Sequence, residues 1–198
     1  SREAMKEFKY NIKILLRKKE LYYCIIGVLL INAIHVILVI NHYSPNMILK
    51  TGEYQFILYN NEVTIMSLVI IALPILTSLV LSDTSWNDKH LGYNNYLYTR
   101  LNIKKNIFSR LFLSFITTFI ICFVGFILNY LTLRFIFGSG NLITNFQELP
   151  YDQVIASEFF LDSIRYYNPI LFIILISLHV SVIIGLLATI SYSFSFFT

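Results

Sequence analysis

Residues 82–110 bring together Asp88, Gly92, Tyr93, Tyr96, Thr99, Arg100, Lys104 and Lys105 between two long apolar runs. Two acids, Asp83 and Asp88, and a single imidazole, His90, among several bases and with no thiol do not make a nucleophile and its base or a set of metal ligands. Such a group suits docking: ionic and hydrogen-bonded contacts to another surface. Gly92 permits a sharp change of direction, and Tyr93 to Tyr98 is long enough for a short helix with exposed aromatic side chains. Inside the apolar runs the candidates thin out. His35 and His179 are the deep ionisable residues there, with Arg110 and Arg134 nearer the ends of one run. Either histidine could hold a substrate or pass a proton, or could sit neutral and hydrogen-bonded between helices. The runs contain no Asp or Glu, and the chain has no Ser/His/Asp spacing, His-Glu-x-x-His, aspartate pair or glycine-rich phosphate loop. The expectation is a protein that is not an enzyme and does not hydrolyse ATP itself.

The elements that must position these residues follow from composition. Of 198 residues 57% are hydrophobic and only 13% charged, too little polarity to cover a water-soluble domain of this size. Four runs, at about 21–41, 63–82, 107–134 and 169–192, reach the ~20 helical residues needed to cross a hydrocarbon core. A β-barrel would alternate in short segments instead of running on in Ile, Leu and Phe, so backbone hydrogen bonds must close inside helices. The fold class is all-α: a polytopic transmembrane helical bundle spanning 21–198, with outer loops at 42–62 and 137–168. The first run is too long for a signal-peptide core and lacks a small-residue cleavage site after it. The third is longer than one crossing, which predicts tilt or a projection around Arg110.

Basic residues set the orientation. Seven lie before the first run (Arg2, Lys6, Lys9, Lys13, Arg17, Lys18, Lys19), and Lys89, Arg100, Lys104, Lys105 and Arg110 cluster between the second and third. Acids gather in the other loops: Glu53, Glu62, Glu148, Asp152, Glu158 and Asp162. The N-terminus and the segment 83–106 are therefore placed in the cytoplasm. The net charge of +4 arises from this asymmetry, and points to anionic membrane lipid and not to nucleic acid. Met5, Phe8, Ile12 and Leu15 recur at helical spacing beside a stripe of Lys6, Lys9, Lys13 and Arg17, which predicts an amphipathic helix at 5–20 lying in the interface. A solvated basic tail is the alternative.

Smaller features refine the picture. Pro74 falls inside the second run and predicts a kink; the 42–62 loop has room for an external hairpin or a short interfacial segment. Tyr166 and Tyr167 sit where an interfacial aromatic belt belongs, and Asn168-Pro169 should open the fourth span. Asn32, Thr77, Ser78, Ser114, Thr117, Thr118, Asn129, Ser177 and Ser181 can bond across helices or line a path. Cys24 and Cys122 fall in apolar runs and read as small packing residues. Many Ile, Asn, Lys, Tyr and Phe against few Gly and Pro point to a bacterial, AT-rich source. With no charged anchor after the fourth run, the chain is expected to continue past Thr198 into further spans.

The order Asp88, Gly92, Thr99-Arg100 and Lys104 resembles the permease subunits of type-2 ABC exporters. In that family an acid follows the second span, a glycine comes four positions on, then a short coupling helix, a Thr-Pro or Thr-Arg pair and a basic residue entering the third span. Where the family carries a glutamate after the glycine, Asn94 and Asn95 stand here. The resemblance implies a coupling helix at Tyr93 to Tyr98, with Asp88, Gly92, Tyr93, Tyr96, Thr99, Arg100 and Lys104 engaging a cytoplasmic ATP-binding subunit. It further implies ATP and Mg on that subunit with no cofactor in this chain, a second permease as homodimer or heterodimer partner, and a location in the bacterial plasma membrane. The scarcity of charge in the spans favours amphipathic or hydrophobic cargo, such as a peptide, drug or lipid-like compound. A bacteriocin immunity factor, with no transport role, is the alternative function.

Overall fold

The computed structural model describes residues 11–42, 56–58, 69, 71–77, 103–138, 164 and 168–194. Three long helices make up most of them: α1 (Lys19–His42), α2 (Ile103–Phe137) and α3 (Pro169–Phe194). Each is long and apolar enough to cross a membrane, and no strand occurs among the described residues. The second expected span is described only at Val69 and residues 71–77, which are helical and include Pro74. Residues 56–58 form a turn; the rest of the 42–62 loop beyond His42 lies outside the described residues, as do Tyr166 and Tyr167.

The helix ends have identifiable causes. Residues 11–16 are helical, and the helix stops where the Arg17 N–H turns back to Ile14 O (3.1 Å) and the Lys18 N–H to Leu15 O (3.0 Å). The Tyr22 hydroxyl donates to Leu16 O at 3.1 Å, satisfying one of the carbonyls that the ended helix leaves open. The N-terminal helix predicted at 5–20 thus ends at 16, and residues 19 and 20 already belong to α1. At the start of α3, Asn168 O accepts the first helical bond from Phe172 (3.1 Å), while its side-chain Oδ1 accepts from the Leu171 N–H (3.4 Å). Pro169 takes the first helical position, where no N–H is needed. α2 ends at Gly138, whose φ of 75° lets its N–H close on Arg134 O at 2.9 Å, an arrangement that a Cβ would strain.

Contact faces are narrow. Along α1, Leu21, Cys24, Val28, His35 and Val39 are buried at intervals of three or four or their sum, with half-buried Asn32 on the same stripe. Much of the rest of the helix is exposed Ile, Leu and Tyr, and Phe135 on α2 is 92% exposed. Lipid is the medium that such surfaces match. α3 buries Ser177, Ser181, Gly185 and Ala188 at four-residue or near four-residue spacing. Between lipid-immersed helices there is little hydrophobic drive to associate, so close packing over small residues and interhelical hydrogen bonds carry the assembly. Several hydroxyls instead bond back to their own helix: Thr77 to Leu73 O, Thr132 to Leu128 O, Thr189 to Leu186 O and Ser193 to Thr189 O, at 2.7 to 2.8 Å.

The chain divides into two compact units. One comprises Ser1–Leu29, Ile70–Cys122 and Ser181–Thr198, the other Leu30–Val69 and Phe123–Val180. In the first, Leu15, Leu21, Cys24, Leu113 and Tyr192 form a buried cluster, with Ile12, Leu111 and Ile121 packed against it. Asn11 Nδ2 donates to Ser109 Oγ at 3.2 Å, tying the short N-terminal helix to α2. Glycines permit two close approaches in this unit: a Cβ on Gly185 would stand 3.0 Å from the Phe115 ring, and one on Gly27 3.1 Å from Leu76 Cδ1. The second unit buries Val39, Phe126, Leu133 and Ile173, and also the polar group described next.

Candidate functional site

Of the residues expected to engage a partner, Asp88, Gly92, Tyr93, Tyr96, Thr99 and Arg100 lie outside the described residues. Lys104 is in the first turn of α2. The apolar span runs over Ile107–Phe137, and the helix that carries it begins four residues earlier, at Ile103, within the 83–106 segment.

Within the second unit, α1 and α2 bring His35 and Asn129 together. Both are 1% exposed, and Asn129 Nδ2 lies 3.2 Å from His35 Nδ1. The third member is the backbone of the 56–58 turn: the Ile57 N–H donates to Asn129 Oδ1 at 3.4 Å. An N–H can only donate, so the asparagine oxygen faces Ile57 and its NH2 faces the imidazole. His35 Nδ1 must then accept, and the proton of the neutral ring sits on Nε2. That Nε2–H is enclosed, with no hydrogen-bond partner among the described residues.

One further bond links the two helices, and a ring contact ties the turn to α2. Asn32 Nδ2 donates to Gly125 O at 3.0 Å, one turn before His35 on α1 and Asn129 on α2. Phe56 meets the Tyr130 ring edge to face with centroids 6.4 Å apart, and the Tyr130 hydroxyl accepts from Arg134 Nη1 at 3.2 Å. Phe56, Ile57 and Leu58 are 0%, 1% and 4% exposed, so the turn is interior to the unit.

His35 and Asn129 were each legible as polar residues in apolar runs; their pairing, across 94 positions, was not. Ile57 was missed; its signal was the apolar triplet Phe56-Ile57-Leu58, which nothing in the sequence sets apart from Met47-Ile48-Leu49 in the same loop. His179 differs from His35 in exposure: it is an exposed residue of α3. Cys24 and Cys122 are buried free thiols. No group of three or more His, Cys, Asp or Glu that could hold a metal ion occurs among the described residues.

The arrangement is a neutral hydrogen-bonding group in an apolar surround. It presents one donor, His35 Nε2–H, and one acceptor, Asn129 Oδ1, which the chain's own amide occupies. Comparison with protein-family models, characterised proteins and solved structures finds no match to this chain.

Proposed function

We propose that this chain is a membrane-spanning permease subunit of an ATP-driven exporter, moving amphipathic or hydrophobic cargo out of a bacterial cell. The observation that carries the reading is a coupling-type motif in the sequence lying directly ahead of, and ending in, a helix longer than one crossing. Asp88, Gly92, Thr99-Arg100 and Lys104 keep the order and spacing of a coupling segment, and α2 begins at Ile103 and continues for 35 residues. At about 1.5 Å per residue this helix is ~52 Å long against a hydrocarbon core of about 30 Å. A rod of that length overhangs the apolar layer. Lys104, Lys105 and Arg110 occupy its first turns, where an overhang into the cytoplasm would carry charge.

In this reading a cytoplasmic ATP-binding subunit holds ATP and Mg and grips the segment through Asp88, Gly92, Tyr93, Tyr96, Thr99 and Arg100. Its closure displaces the near end of α2, and the helix carries the displacement into the bilayer. Nucleotide binding on one protein thereby biases the packing of another. A second permease, identical or not, completes the pathway, and the helix at 11–16 rests in the cytoplasmic interface.

The test is isolation from native membrane with its partners, for the unaltered chain and for Gly92→Pro, Tyr96→Ala and Arg100→Glu. An ATP-binding subunit should accompany the unaltered chain and be lost from the variants, together with nucleotide-dependent change in α2. Retention of that subunit and of ATP hydrolysis by all three variants would overturn the assignment, as would isolation of the unaltered chain with no ATP-binding protein.

A further inference from the structure

Residues 56–58 are fully enclosed although they form a turn, and they spend one of their backbone N–H groups on a side chain in the interior of the unit. Asn129 Oδ1 is thus occupied by a peptide N–H, while beside it His35 offers an Nε2–H that nothing among the described residues takes. Buried donors are paired in the great majority of cases, so an enclosed N–H without an acceptor needs a reason. A trans peptide group carries one N–H and one C=O, the complement of what this pair offers once the turn has left. An ester carries the carbonyl alone, and a charged group would be costly beside side chains that are themselves 1% exposed, in a unit whose other buried residues include Val39, Phe126, Leu133 and Ile173.

We propose that Asn129 and His35 form a binding site for a peptide amide, closed in this structure by the chain's own 56–58 turn. When the turn withdraws, Asn129 Oδ1 accepts the ligand's N–H and His35 Nε2–H donates to its C=O. Ile57 is the stand-in that shows what the asparagine recognises. The ligand is an uncharged stretch of hydrophobic peptide. This deepens the exporter reading by naming the cargo's chemistry, and rests on that reading for the purpose of the site; binding itself requires no ATP-binding subunit, so the two can fail separately.

The experiment uses the full chain, isolated with whatever accompanies it and placed in lipid nanodiscs without nucleotide. The probes are a fluorescent N-acetyl tri-leucine amide and its analogue with the central amide N–H replaced by an ester oxygen, with dioleoylglycerol as the lipid-ester competitor. One hydrogen bond is worth roughly five- to tenfold in affinity, so the amide probe should bind that much more tightly than the ester. Asn129→Leu should reduce the preference to about twofold or less, and His35→Phe should weaken both probes roughly fivefold, with helicity by circular dichroism unchanged. Ile57→Cys should be modified by a thiol reagent several-fold faster at saturating amide probe, reporting withdrawal of the turn. Equal binding of amide and ester, no binding of either, full competition by dioleoylglycerol, or probe binding without a change at Ile57→Cys would each overturn the proposal. Should a site variant fail to fold, the amide-to-ester ratio on the unaltered chain and the Ile57→Cys labelling decide the matter.

Discussion

Replacing Asn129 by leucine keeps the side chain's approximate volume and removes only its hydrogen bonding, which isolates the polar contribution from a cavity. Two groups lose their partner: the Ile57 N–H at 3.4 Å and His35 Nδ1 at 3.2 Å. The first is at the long limit of a hydrogen bond and weighs less. Interhelical hydrogen bonds within membranes average ~0.6 kcal/mol and reach ~1.7, while a buried group stranded without a partner costs about 1–3 kcal/mol. The expected loss for Asn129→Leu is about 2 kcal/mol. His35→Leu should cost less by about 1 kcal/mol, because it also removes the enclosed Nε2–H that already lacks an acceptor. The double variant should then show a coupling of about 1 kcal/mol. Reversible unfolding in mixed micelles by SDS titration, followed by circular dichroism, measures all three. A His35→Leu loss larger than that of Asn129→Leu, or a coupling below about 0.3 kcal/mol, would refute the pairing and the assigned tautomer together.

Two further outcomes can be checked in the same assay. Gly185→Ala places a methyl group 3.0 Å from the Phe115 ring and 3.4 Å from its carbonyl; it should destabilise by about 1–3 kcal/mol, and Phe115→Leu in the same chain should restore a large part of that loss. Asn168→Ala removes the side-chain acceptor for the Leu171 N–H and should cost about 1 kcal/mol, with faster amide exchange confined to the first turn of α3; exchange unchanged there would show that the cap is idle.

Some of this architecture was written plainly in the chain. Unbroken Ile, Leu and Phe runs of sufficient length leave a helix as the only way to satisfy the backbone, and α1, α2 and α3 lie where three of those runs are. Asn168-Pro169 marked the start of α3 because a proline's missing N–H is harmless only there. Other ends were harder to place. Lys104 and Lys105 read as part of the polar segment 83–106, yet lysine is a good helix former, so α2 starts ahead of them. His35, Asn129 and Ile57 illustrate a different limit. Periodicity tells which face of a helix is apolar, but not which polar residue on one element meets which on another, and a turn that fills an interior leaves only three apolar letters as its trace. The segment from Asp88 to Arg100 was legible as a motif, and it lies outside the described residues.

The hydroxyls of Thr77, Thr132, Thr189 and Ser193 take their acceptors from their own helices. Each carries its partner wherever the helix goes, so a helix bearing them can roll or slip by part of a turn with none of these bonds surrendered. Asn32 on Gly125 O and Asn129 on His35 are of the opposite kind, since they span from one helix to another and must let go before α1 and α2 can shift against each other. Those two asparagines therefore act as latches between α1 and α2, while Thr132 on α2 keeps its bond whichever way the pair moves.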